Sequence, residues 1–181
     1  MEKTLALVAL FAALIAALGF LPAMMLPGGV PITAQSLGIM LCGTVLGAKR
    51  GALAVLLFLV VVALGVPALS GGRGGYGVFL GPSVGFLVGF PLTAFVAGLV
   101  VERWNAPVLY SAGVGAALGG MLVLYPLGAL GWALMLGKSL SEVGVFLLGF
   151  VPGDLIKVVL AGFITRAIGQ MRPSALLSRA G

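Results

Sequence analysis

The chain has 181 residues, of which 61% are hydrophobic and 8% charged, with 10 basic residues, 4 acidic ones, one cysteine and no histidine. A soluble domain carries roughly 25% charged residues, so this chain has too little polar surface to cover a globule, and disorder is excluded by its apolar content. The net charge of +6 is spread as basic residues scattered between apolar runs, which is not the footprint of a nucleic-acid-binding stripe. An all-α integral membrane protein remains.

No charge occurs between Lys3 and Lys49, a stretch too long for one span and interrupted by Pro22, Pro27, Gly28, Gly29 and Pro31. Because about 20 apolar residues cross a bilayer core, this stretch predicts two helices, 4–21 and 33–48. Lys3 ahead of an apolar run invites a signal-peptide reading. Glu2, the length of the run and the spans that follow favour a retained helix. The second helix, at sixteen residues, would reach only about 24 Å, short of a full crossing unless it starts earlier or lines a cavity. Further apolar runs predict helices over 51–66, 79–101, 107–130 and 143–168, a single six-helix transmembrane domain across 1–181. The runs are continuous rather than alternating, which selects helices over a barrel.

Six spans place Lys3, Lys49, Arg50, Arg103, Arg166, Arg172 and Arg179 on one side and only Arg73 and Lys138 on the other. Basic loops stay inside, so both termini are expected in the cytoplasm. The outward loops, 22–32 and 67–78, are rich in glycine and proline and longer than a chain reversal needs. This points to a site facing outside.

Small residues recur every four positions at Gly77, Gly81, Gly85 and Gly89, at Gly43, Gly47 and Gly51, and at Ser111, Gly115 and Gly119. The first helix carries Ala9, Ala13 and Ala17. Such faces let backbones approach closely, either inside the bundle or against a partner subunit. A terminal helix is the better candidate for docking.

Two enzyme-like patterns fail on context. Gly72–Gly77 fits G-x-G-x-x-G without a preceding strand, and Gly81–Gly85 fits G-x-S-x-G in a chain without histidine. No phosphate-binding G-x-x-x-x-G-K-[ST] motif is present, and the usual zinc and haem ligands are missing. The chain therefore reads as a binding or transport subunit rather than an enzyme, with no cofactor expected. Any ATP-driven step belongs to another subunit.

Asp154 and Lys157 stand inside the last apolar run, where a charge costs at least about 2.5–3.5 kcal/mol. At spacing i, i+3 they share a helix face and can neutralise each other. Three readings are open: a buried ion pair that fixes packing, a proton relay, and a ligand site in which Asp154 accepts from N–H donors and Lys157 donates to a carbonyl. Pro152 and Gly153 predict local helix distortion. Arg73, within the glycine run that includes Gly74 and Gly75, is either a solvated loop charge or the partner of a carboxylate. Tyr76, Phe79, Phe86, Tyr125 and Trp132 can wall a cavity or fill the core. Thr33 and Gln35 are polar groups at the outer end of the second helix, where they can cap it. Together these groups suit a small, partly apolar acid bearing an amide or urea.

With Val30-Pro31-Ile32-Thr33-Ala34-Gln35, Gly71-Gly72-Arg73-Gly74-Gly75-Tyr76-Gly77 and Pro152-Gly153-Asp154-Leu155-Ile156-Lys157 in this order, the chain resembles the BioY family. These are the membrane-embedded substrate-binding (S) components of energy-coupling-factor biotin transporters. The resemblance implies biotin as transported ligand, captured from outside with its ureido ring at Asp154 and Lys157. It also implies a prokaryotic plasma-membrane location, with Ala9, Ala13 and Ala17 docking a transmembrane coupling subunit that works with two ATPase subunits. The competing expectation is a stand-alone homo-oligomeric carrier or channel for another small solute.

Overall fold

A computed structural model describes residues 2–25 and 30–179, so Pro27, Gly28 and Gly29, in the first of the loops expected to face outward, lie outside the described residues. Helix α1 (Glu2–Leu18) runs into a two-residue antiparallel hairpin, β1 (Met24–Met25) with β2 (Pro31–Ile32). Helices α2 (Gln35–Leu46) and α3 (Ala48–Ala63) follow. The chain turns between them at Gly47, whose φ of 90° favours glycine, and Glu102 Oε1 accepts the first free amide of α3, from Ala48, at 2.9 Å.

A 3-10 turn over Tyr76–Leu80 precedes α4 (Val84–Arg103), the central helix, which packs on α2, α3, α5 and α6. Helices α5 (Val108–Ala117) and α6 (Leu124–Leu136) are joined without a break by a π-helical turn, Leu118–Val123. The turn is held open where Thr93 donates its hydroxyl to the Gly119 carbonyl at 3.1 Å. Helix α7 (Leu140–Leu147) begins at a capping box made by Ser139 and Glu142, and α8 (Val151–Met171) completes the bundle.

Two helices, Val84–Arg103 and Val108–Leu136, are each long and apolar enough to cross a membrane, and the α7–α8 pair meets the same test as one span bent by 56°. The expected continuous helix over 143–168 is therefore corrected to a broken one. Pro152 has no N–H to give to an upstream carbonyl, and proline suits the first turn of a helix, so a new helix starts there. The fourth helix starts at Val84 rather than at 79, because the segment before it winds as a 3-10 turn. This splits the expected glycine stripe. Gly85 and Gly89 pack against α6, on Gly131 and Leu124, whereas Gly77 and Gly81 lie outside the helix and pack against no other helix.

At the end of the bundle carrying Lys49, Arg50 and Glu102, the C-terminal segment folds back over the helices. Ser178 donates to the Thr44 carbonyl at 2.6 Å, and Arg179 Nη2 donates to the Trp104 and Ala106 carbonyls at 2.9 and 2.8 Å. Arg50 reaches the Leu177 carbonyl at 3.3 Å. Several of the scarce charges thus close backbone hydrogen bonds that helix ends leave open. Helices α2 and α8 are joined by a buried bond between the Thr44 and Thr165 hydroxyls at 2.8 Å.

Candidate functional site

The cavity at the opposite end lies between the start of α2, the hairpin after α3, α4, α6 and the start of α8. Its volume is about 60 Å³. Its polar side is one continuous network. Lys157 Nζ donates to Asp154 Oδ1 at 2.8 Å and to Ser36 Oγ at 2.9 Å, and the Tyr125 hydroxyl donates to Asp154 Oδ2 at 2.8 Å. Asp154 is 3% exposed, so its charge is compensated by these two donors rather than by solvent. It sits in the first turn of α8, a consequence of the break at Pro152.

Opposite the network stands an aromatic wall. Phe86 and Phe150 stack with ring centres 5.7 Å apart, Tyr125 lies 6.5 Å from Phe150, and buried Trp132 meets Phe86 and Phe150 edge-on. Such tilted and offset arrangements are the favourable ones for aromatic rings. Phe90, Leu87 and Leu124 add to the apolar lining, with Val30, Pro31 and Leu69 from the segments between helices.

The hairpin over the cavity follows from its glycines. Leu69 and Arg73 exchange backbone hydrogen bonds at 2.9 and 3.2 Å, and Gly71 and Gly72 between them have φ of 78° and 69°. Positive φ at consecutive positions is a glycine conformation. Arg73 is thereby turned toward the cavity. Its Nε donates to the Ser70 carbonyl at 3.1 Å and Nη1 to Ser83 Oγ at 3.5 Å, and partial burial holds its guanidinium pKa below the usual value.

Of the residues singled out from the sequence, Asp154, Lys157, Arg73, Thr33, Gln35, Phe86 and Tyr125 line this one cavity. Tyr76, Gly74 and Gly75 do not. Tyr76 is 70% exposed at the start of the 3-10 turn, beside Phe79 and outside the cavity lining. Gly74 packs against the Val66 carbonyl, and Gly75 donates its amide to the Val62 carbonyl at 2.8 Å. Both shape the return of the hairpin. Thr33 Oγ1 accepts the Gln35 amide at 3.2 Å, as a helix-start hydroxyl does.

Ser36, Phe90 and Phe150 are lining residues that the sequence reading missed. Ser36 lies three residues after Thr33 and so on the same face of a helix start, the one pattern that points to it. The small-residue face of α1 is open: Ala9, Ala13 and Ala17 are exposed, whereas Phe11, Ala12 and Ile15 on the other face are buried.

The BioY family model matches residues 2–174. A biotin transporter BioY of Rhodobacter capsulatus is 53% identical, with 99% of this chain and 100% of that protein aligned. The biotin transporter BioY of Rhizobium etli is 47% identical over 92% of each chain. Among solved structures, the S-component for biotin from an ECF-type ABC transporter superposes with a TM-score of 0.88 at 32% identity, covering 97% of this chain and 96% of that one. The protein described here belongs to the BioY family.

Proposed function

We propose that this chain is the membrane-embedded subunit that captures biotin from the outer side of a prokaryotic plasma membrane for import. The observation that carries this reading is the Tyr125–Asp154–Lys157–Ser36 network facing an aromatic wall in one cavity. The relatives named for biotin and the biotin S-component of matching fold support it.

The chemistry matches a cyclic urea attached to an apolar ring and an acid tail. Asp154 accepts from a ureido N–H, and Lys157 donates to the ureido carbonyl. Phe86, Phe150 and Tyr125 cover the apolar ring, and Arg73 pairs with the carboxylate. Thr33 and Ser36 supply hydroxyls at the polar end.

The remainder of the reading concerns the membrane. Six crossings, made by α1, α2, α3, α4, α5–α6 and α7–α8, leave seven basic residues on the cytoplasmic side and two outside. This orientation opens the cavity outward. Energy comes from two ATPase subunits through a transmembrane coupling subunit, which docks on the exposed Ala9, Ala13 and Ala17 face of α1. Small side chains there permit close helix contact in lipid, where packing rather than the hydrophobic effect drives association.

The test is isothermal titration of the purified chain in nanodiscs with biotin, thiamine and riboflavin. Biotin should bind at one-to-one stoichiometry and the other two should not. Absence of biotin binding, or equal affinity for all three, would overturn the proposal. Biotin flux or conductance in liposomes containing this chain alone would establish the stand-alone carrier instead.

A further inference from the structure

Gln35 lines the cavity, yet its polar atoms are directed elsewhere. Its Nε2 donates to the Ile15 carbonyl at 3.1 Å and to the Ala68 carbonyl at 3.0 Å, and its Oε1 accepts the Ser70 amide at 3.0 Å. The side chain is 2% exposed. A primary amide has two donor hydrogens and one acceptor oxygen, so both donors and the oxygen are engaged by backbone. A ligand would have to displace one of these bonds to reach it.

The three bonds link segments far apart in sequence: the last turn of α1, the first turn of α2, and the hairpin that carries Arg73. Ser70 continues the chain of contacts, because its carbonyl accepts Arg73 Nε at 3.1 Å. Gly19, just past α1, closes the junction from the other side. A Cβ at Gly19 would meet the Ala68 carbonyl and would lie 2.8 Å from Gln35 Nε2. The end of α1 therefore rests directly on the bonds that hold the hairpin down.

We infer that Gln35 is a positioning residue, a clasp that ties the end of α1 to the Leu69–Arg73 hairpin and so sets how fast a ligand leaves the cavity. The inference rests on the biotin reading of the cavity. It adds that α1, the helix with the open small-residue face, and the hairpin over the cavity form one mechanical unit. A displacement of the end of α1 pulls on the Ile15 carbonyl and loosens Ser70 and Arg73 together. A subunit docked on α1 would thereby act on ligand release without touching the cavity.

The experiment uses the full chain in nanodiscs and three proteins: wild type, Gln35→Leu and Gly19→Ala. Gly19 contributes nothing to the cavity lining, so its variant tests the clasp alone. Biotin dissociation is followed after dilution of radiolabelled ligand, and tryptic cleavage after Arg73 is followed by mass spectrometry at saturating biotin. Both variants should release biotin about tenfold faster, the equivalent of about 1.4 kcal/mol, and both should be cut after Arg73 about tenfold faster. Wild-type dissociation and cleavage rates in Gly19→Ala would overturn the clasp, as would faster dissociation with unchanged cleavage, since the hairpin would then not be involved. If Gln35→Leu fails to fold, Gly19→Ala decides. Failure of the wild type to bind biotin overturns the cavity reading itself, and tryptic cleavage of the ligand-free proteins then tests the clasp on its own.

Discussion

Replacing Asp154 by asparagine keeps the shape of the side chain and removes its charge. The carboxylate now faces two donors, with Lys157 Nζ and the Tyr125 hydroxyl each at 2.8 Å from separate oxygens. An asparagine offers one oxygen and one NH₂ group, so one of the two donors meets another donor. The Lys157 ammonium, 12% exposed, loses its counter-charge. Removing one partner of a buried pair costs about 3–5 kcal/mol of stability, against about 1.5–3 kcal/mol for a hydrogen bond to a charged group. The latter is the part a ligand N–H would lose, so Asp154→Asn should weaken biotin binding by roughly 10- to 150-fold. Titration calorimetry in nanodiscs measures this, and thermal unfolding on the same samples shows that the variant is folded. A double substitution, Asp154→Leu with Lys157→Met, separates a ligand role from a packing role. Swapping a whole buried pair for apolar groups is often neutral or stabilising, so stability should recover while biotin binding does not. Binding by Asp154→Asn within threefold of wild type, or its return in the double variant, would refute the reasoning.

Other expectations concern the scaffold. Gly85→Ala places a methyl against the Leu127 carbonyl and the Gly131 backbone and should cost about 1–3 kcal/mol in chemical unfolding, whereas Gly113→Ala meets open space and should be neutral or stabilising by up to about 1 kcal/mol. Thr44→Val leaves the Thr165 hydroxyl without its partner and should cost about 1–3 kcal/mol, with the Thr44→Val, Thr165→Val pair costing less than the sum of the two single changes in a double-mutant cycle. The Ser139 hydroxyl accepts the Glu142 amide at 3.3 Å and the Ser139 amide donates to Glu142 Oε2 at 2.9 Å, so Ser139→Ala, which removes the capping box, should cost about 1 kcal/mol in chemical unfolding.

The elements were legible because charges in an apolar chain punctuate it: Lys49 and Arg50 mark the reversal between α2 and α3, and Arg103 the end of α4. Asp154, Lys157 and Arg73 stood out for the same reason. What stayed hidden depends on tertiary neighbours. Ser36 is one hydroxyl among many until Lys157 reaches it from a residue 121 positions away. Gln35 reads as a helix-start polar group, because its partners are the carbonyls of Ile15 and Ala68, which carry no side-chain signature. The glycine stripe misled because four-residue spacing implies a single helix, whereas the turn over Tyr76–Leu80 takes Gly77 and Gly81 off it. The break before α8 had a readable sign in Pro152, whose preferred place is the first turn rather than the interior of a helix.

That break changes how an ion pair is tolerated inside an apolar chain. In a continuous helix Asp154 would stand mid-span, away from either helix end and its partial charge. In the observed fold it stands in the first turn of α8, where the helix dipole favours negative charge, a contribution of about 0.3–1 kcal/mol at exposed ends and up to about 2 kcal/mol when partly buried. Lys157, one turn further on, is compensated separately by Asp154 and Ser36. The helix end thus offsets part of the cost of burying the carboxylate and turns it toward the cavity. The 56° bend also brings Phe150, the residue at the corner, against Phe86 and Trp132. One proline therefore shapes both halves of the site, the polar network and the aromatic wall. Restoring a straight helix with Pro152→Ala should disturb both together, a loss that changes confined to either half would not reproduce.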